Sequence, residues 1–497
     1  MPDESIPWSL TDEAGAYPTP CRSSPAVAHA RATERFESVD EQPIVAYLPG
    51  MTALASELSA LVAGPVFEPG QPGFDQEVAG FNAAVVHRPQ VVVGASSTAD
   101  VVEAVRFARA RGWRVAVHST GHGAPVPVEA GLLVTTRRLD QVRVDPGAQE
   151  ATAGAGVRGG AVVAAAAPHG LAPITGSSPS VGVVGFLLGG GIGPLARSHG
   201  FASDYLTGAT LVTGTGDVVV ASADQQTELL WALRGGKPRF GVVTEVRLRL
   251  VPLPALYAGS LFFDEAHIEP ALRGWIDWAA QASPQVTTSV AIVRFPAFES
   301  VPAPLRGRRL LTLRFAYPGD ATEGALRAAP LRALAPVHLD ALSALPIADV
   351  ARIFNDPPGP VPAWASGGTL AQVDQDFAST VLRHVGAGTD APFLAFEVRH
   401  LGEATTRDVP GGSAVGGRGA RFLFGVVGTN PAFFATVLPD AEARLVGELA
   451  RWLSPEANGN FAPHPNVRRA VTAGVPPSVD ARLGELLRRH DPDGLFV

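Results

Sequence analysis

Two glycine-rich segments stand out as places where the backbone, more than any side chain, could do chemistry. The first is Val117-His118-Ser119-Thr120-Gly121-His122-Gly123, directly after the alternating stretch Trp113–His118. Small residues in such a loop let backbone N–H groups close on an anion such as a pyrophosphate. Alone, it reads equally well as a tight turn with a satisfied histidine. The second is Gly176–Gly193 (GSSPSVGVVGFLLGGGIG), in which seven glycines punctuate an apolar run. That pattern describes backbone pressed against a flat or charged group, or a close helix–sheet packing contact. The two together, followed by Trp231–Val243 (WALRGGKPRFGVV), argue for a bound cofactor.

Other loops fail on their chemistry. Gly154-Ala155-Gly156-Val157-Arg158-Gly159 fits G-x-G-x-x-G after the strand-like Glu150–Ala153. No Asp or Glu lies between Ala151 and Ser203, however, to hold a ribose hydroxyl. Gly235-Gly236-Lys237-Pro238 lacks the Ser or Thr of a phosphate loop. Histidines and acidic residues show no H-E-x-x-H or comparable spacing, so no metal site is expected. Cys21 is the single cysteine, which excludes an intrachain disulfide. With 39 basic and 47 acidic residues the net charge is −8, arguing against a nucleic-acid partner.

The elements that must position these loops are legible in outline. Of 497 residues 46% are hydrophobic and 17% charged, the balance of a folded globular chain. Strands are expected at 84–86, 91–93, 113–118, 132–135, 150–153 and 242–250, with a hairpin at 209–221. Helices are expected at 51–61, 98–111 and 161–167. Beyond Pro252-Leu253-Pro254 the composition shifts. Strands at 288–294, 310–316, 393–400 and 421–427 alternate with helices at 269–281, 321–334 and 431–452, and a last helix spans 480–489. This pattern predicts an α+β chain with one antiparallel sheet covered by helices on one side. The polar, acidic start MPDESIPWSL is unlike a signal peptide, and no apolar run reaches the length of a membrane span. A cytoplasmic protein without membrane contact is expected.

The order of these motifs resembles the berberine-bridge-enzyme-like oxidases of the vanillyl-alcohol-oxidase superfamily, over about 83–252 and more weakly over 458–496. In that family a strand runs into R-[SG]-G-G-H, and here the stretch is His118-Ser119-Thr120-Gly121-His122. The resemblance implies that His122 carries the flavin 8α-methyl group; His118 replaces the arginine and Thr120 the first glycine. The family's G-x-C-P-x-V-G-x-x-G-x-x-x-G-G-G appears as Gly176-Ser177-Ser178-Pro179-Ser180-Val181-Gly182, then Gly185 and Gly189-Gly190-Gly191. Ser178 stands where a cysteine makes a second flavin bond, so a single covalent link is implied. W-A-L-R-G-G-G-x-N-F-G-V-V ends at Val243, whose backbone would line the adenine, with Arg239 in place of the asparagine. Y-x-N-F reads Asn458-Gly459-Asn460-Phe461, keeping Asn460 without the tyrosine.

The implied architecture is a two-part PCMH-type FAD-binding domain plus an antiparallel-sheet substrate domain. Its divisions are an arm at 1–42, the FAD-binding domain at 43–254 (core about 83–253), the substrate domain at 255–455 and a return at 456–497. The implied cofactor is FAD, with Gly123 closing the first loop. The implied reaction moves a hydride from a small, secondary-metabolite-like substrate to flavin N5 and then to O₂. A dehydrogenase with another acceptor, and a flavin-holding protein without redox turnover, are the alternatives. A base must take the accompanying proton. Along Phe393–His400, Glu397 and Arg399 share one face, and Phe396, Val398 and His400 the other. Glu397 or His400 is the candidate base, depending on which face meets the flavin. Substrate identity and oligomeric state stay open.

Overall fold

The first sheet is built from short apolar runs that leave no face polar, which suits parallel strands buried on both sides. The computed structural model describes residues 51–124, 126–237, 240–464 and 476–497. The arm at 1–42, and Pro238 and Arg239 of the third motif, lie outside the described residues. Strands β1 (Val66–Phe67), β2 (Val91–Gly94), β3 (Val115–His118) and β4 (Leu132–Thr135) order as β1-β2-β4-β3, with β2, β4 and β3 parallel. Helix α1 (Thr98–Ala110) covers this sheet; Ser97 caps it by accepting from the Asp100 amide. The segment 84–86, expected as a strand, is instead turn and loop. Val85 N–H bonds back to Asn82 carbonyl and Val86 is exposed, so three apolar residues there have no sheet to join.

A second, five-stranded antiparallel sheet follows. It comprises β5 (Val142–Asp145), β6 (Glu150–Gly154), β7 (Leu206–Val212), β8 (Val218–Ser222) and β9 (Val242–Arg249), ordered β5-β6-β9-β7-β8. Against it packs α2 (Val183–Leu188), whose Val183, Val184, Leu187 and Leu188 enter the same core as Ala209, Leu211 and Val246. The second glycine-rich segment thus wraps a six-residue helix whose valines and leucines turn inward; its glycines lie at either end except Gly185, which is exposed within the helix.

The third sheet has eight strands, all antiparallel. Its long members are β10 (Ala255–Phe263), β11 (Thr287–Arg294), β12 (Arg309–Tyr317), β13 (Trp364–Leu370), β14 (Ala395–His400) and β15 (Phe422–Gly428), ordered β10-β12-β11-β14-β15-β13. Two short segments, Leu339–Asp340 and Ser343–Pro346, extend it beyond β10. Helices α3 (Ile268–Ala279), α4 (Ala321–Arg332), α5 (Gln375–Val385) and α6 (Val437–Glu448) cover one face. Leu311, Leu313, Phe315, Phe396, Val398 and Phe424 meet Trp275, Phe377 and Leu445 there. The chain then returns to the first part of the fold. Helix α7 (Pro477–His490) passes Gly214, and Leu495 and Val497 bond to the N–H and the carbonyl of Val115.

Candidate functional site

Strand β3 delivers the loop 119–124 at the sheet's carboxyl edge, and the second glycine segment arrives from across the core. They are knitted by side-chain hydroxyls. Gly182 N–H donates to Thr120 Oγ1 at 3.2 Å, and Ser119 Oγ donates to Ala155 carbonyl at 2.8 Å. His122 joins the two: Nδ1 is 2.9 Å from Thr120 Oγ1 and Nε2 is 3.0 Å from Ser180 Oγ, which lies 2.8 Å from Ser178 Oγ. Its ring lies flat on Phe81, centroids 3.7 Å apart. Burial first, then the nearby Arg158 guanidinium, pushes the His122 pKa down to about 4. At neutral pH it is therefore an uncharged imidazole, the nucleophilic form.

His118 is buried as well, and neither ring nitrogen has a full hydrogen bond. Burial, then His87 and Arg137, lowers its pKa to about 4. Gly121 sits over it at φ +71°, and a Cβ there would fall 2.5 Å from His118 Nε2. Asn460 closes the second loop from the C-terminal side: Nδ2 donates to Phe186 carbonyl at 2.8 Å, and a Cβ on Gly189 would strike Asn460 Oδ1. Gly190 and Gly191 follow with positive φ. A small cavity runs along Gly176, Ser178 and Val181. Ser177 is half-buried beside it, while Gly123 and Gly185 are exposed with open space around them. Val243 is buried in the core beneath α2 with Val183 and Leu187.

The two base candidates fall on opposite faces of the third sheet. His400 turns into the helix-covered face, stacked on Phe422 (4.8 Å, 11°) and edge-on to Trp275. Its Nε2 accepts from Arg197 Nη1 at 2.8 Å. Burial, then Arg197 and Arg421, drives its pKa down to about 2. Glu397 turns to the open face. Oε1 accepts from Ser289 Oγ (3.0 Å) and Arg314 Nη1 (2.9 Å), and Oε2 from Arg399 Nε (2.8 Å). Burial works to raise the Glu397 pKa, but Arg399 and Arg314 outweigh it and hold the carboxyl below its usual range. Beside this group a narrow cleft opens between the sheet and Ile192–Pro194, the end of the second glycine segment.

Comparison with known proteins places this arrangement. Residues 89–222 match a family model described as an FAD binding domain. (R)-6-hydroxynicotine oxidase of Paenarthrobacter nicotinovorans is 38% identical over 232 residues, 46% of this chain and 47% of its own. The crystal structure of 6-hydroxy-D-nicotine oxidase from Arthrobacter nicotinovorans superposes with a TM-score of 0.75 at 25% identity, over 88% of this chain and 96% of that one. Over residues 89–222 the chain is similar to FAD binding domains, and it shares the fold of 6-hydroxy-D-nicotine oxidase and of a berberine-bridge-enzyme-like protein of Physcomitrella patens. Its alignment spans about half the length of the curated relatives it matches. Glucooligosaccharide oxidase of Acremonium strictum, whose FAD is 6-S-cysteinyl and 8α-N1-histidyl, shares the fold with a TM-score of 0.72 at 18% identity, over 90% of this chain and 97% of that one.

The residues present fit the family's cofactor. Hydroxyls and glycine backbones line the meeting of the two loops, and a neutral imidazole stands in it without a carboxylate within hydrogen-bond distance. Among the described residues no cluster of His, Cys, Asp or Glu could hold a metal, and no helix is long and apolar enough to cross a membrane. Sequence reasoning missed Arg197, which enters from Ala196–His199 with 4% exposure. It donates to the carbonyls of Val286 (2.8 Å) and Leu401 (2.5 Å). It also missed Arg314, although a lone arginine among the apolar residues of LLTLRFA is a signal in itself.

Proposed function

We propose that this protein is an FAD-linked oxidase acting on a small organic substrate, with FAD joined covalently through His122 alone. The observation that carries the reading is His122 itself, neutral and held between Thr120 and Ser180 where the two glycine segments meet. When bound, FAD supplies the two-electron acceptor at N5 and passes the electrons to O₂. The backbones of 118–123 and 176–191, with Asn460, hold the cofactor, and Val243 lies on its adenine side. Ser178 occupies the place of a second, thiolate link, and a hydroxyl is a far weaker nucleophile at neutral pH. Of the base candidates, Glu397 is the one on the open face.

Purified protein is expected to be yellow and to stay yellow after acid precipitation, with the flavin mass on a tryptic peptide containing His122. His122→Ala should release flavin into the acid supernatant. Wild-type flavin that washes out in acid overturns the covalent link; a colourless protein that takes up no added FAD overturns the whole reading. A second reading, a flavin-holding protein without redox turnover, is favoured by the tight engagement of Glu397 with two arginines. Anaerobic mixing with substrate separates them. Bleaching reversed by air supports the oxidase, bleaching reversed only by an artificial acceptor supports a dehydrogenase, and product without bleaching supports the second reading.

A further inference from the structure

The cleft beside Glu397 carries two arginines that the oxidase reading does not use. Across four neighbouring strands, Ser260, Arg314, Ser289 and Arg399 stand in one register row on β10, β12, β11 and β14. The small serines leave room for the two long arginines to reach over them. Both guanidiniums converge on the single carboxylate of Glu397, two register positions away on the same face. Both also lie over the same ring, Phe354, at 4.6 and 4.8 Å, and Arg399 lies over Phe461 at 5.1 Å. Arg314 and Arg399 line the cleft, whereas no carboxylate does.

Two cations thus share one directly bonded anion. Asp356 favours the charged form of Arg314 from a longer distance, without an ion pair. Donors are left over: Arg314 Nε is buried without a hydrogen-bond partner, and Arg399 Nη1 has only the Ile192 carbonyl, at 3.5 Å. Leaving cationic donors short of acceptors in a partly dry cleft is costly unless an anion completes the set. The remaining walls are apolar, from Ile192, Pro194, Ile353 and Phe354. A planar carboxylate matches a guanidinium fork, where a lysine would offer only a point charge.

We propose that this cleft takes a small organic acid, its carboxylate held by Arg399 and Arg314 and its hydrocarbon part packed on Ile192, Pro194, Ile353 and Phe354. Glu397, bonded to both guanidiniums, keeps them side by side. The proposal rests on the oxidase reading for what happens to the acid afterwards, while the binding itself is testable without turnover.

Benzoate and benzamide, alike in shape and different in charge, serve as probes in titration calorimetry on the full-length protein, at constant ionic strength. Benzoate is expected to bind, and benzamide to bind at least about tenfold more weakly. Arg399→Gln should weaken benzoate about tenfold and leave benzamide unchanged; Arg399→Lys, which keeps the charge but loses the fork, should fall between them. Equal binding of the two probes, or binding of neither, overturns the proposal. So does loss of bound flavin from Arg399→Gln with benzoate affinity intact, because the arginines would then serve the cofactor. Colourless protein that binds benzoate through Arg399 leaves this inference standing without the oxidase reading. Yellow protein indifferent to probe charge does the reverse.

Discussion

The two faces of the eight-stranded sheet are made by alternate residues of the same strands, yet they behave as different solvents. On β14, Phe396, Val398 and His400 enter the helix-covered core, and Glu397 and Arg399 face the open side. His400 is kept uncharged three residues away from a carboxylate that stays ionised. Dry packing removes charge on one side, and paired charge is retained on the other. A sheet one strand thick can therefore separate stability from chemistry, because the pleat sends successive side chains to opposite faces.

The largest effect should come from breaking the covered face. Trp275 is fully buried and donates its indole N–H to Thr288 Oγ1 at 3.0 Å. Trp275→Ala should cost about 3–5 kcal/mol, read as a lower urea midpoint, by opening a cavity and orphaning that hydroxyl. On the open face, Glu397→Gln leaves two arginines without their anion and should cost about 2–3 kcal/mol, less than a dry pair because water reaches the cleft. Benzoate should restore more stability to this variant than to the wild type; equal stabilisation of both would sever the link between Glu397 and the cleft.

The smallest effect is a pH dependence. The native His400 pKa of about 2 lies far below the ordinary 6.5. Its contribution is therefore complete above pH 6.5 and lost progressively as pH falls, since the unfolded chain binds the proton first. Between pH 7 and 5 this should remove about 1–2 kcal/mol. His118 and His122 add a loss of the same sign. His400→Gln should flatten the profile measurably; an unchanged slope would mean that His400 is not the group responsible.

How much of this was legible beforehand depended on the local physics of each segment. The alternation in FEVRH separated Glu397 from His400, because a period of two needs no knowledge of the fold. Which face would be covered depended on four helices distant in sequence, and no local pattern encodes that. Strand β10 escaped notice because all but its first residue is buried, which erases alternation, and because Gly259, at φ +138°, interrupts it. Strand β13 hid behind Gly367 and Gly368. The two glycine loops were readable as loops. Their meeting through Thr120 and Ser180, and the closing of the second by Asn460, are long-range events that only the assembled core produces.

The hydrogen bonds from Leu495 and Val497 to Val115 carry a consequence in time. Strand β3 lies at the edge of its sheet, and on its outer side Val115 N–H pairs with Leu495 carbonyl while its own carbonyl receives Val497 N–H. During synthesis that side stays bare until residues 495–497 have left the ribosome, long after β2 and β4 are in place. The strand that ends in His118 and launches the His122 loop is thus the last of its sheet to be completed. The loop that carries His122 is therefore held at its root by residues 495–497, far along the chain.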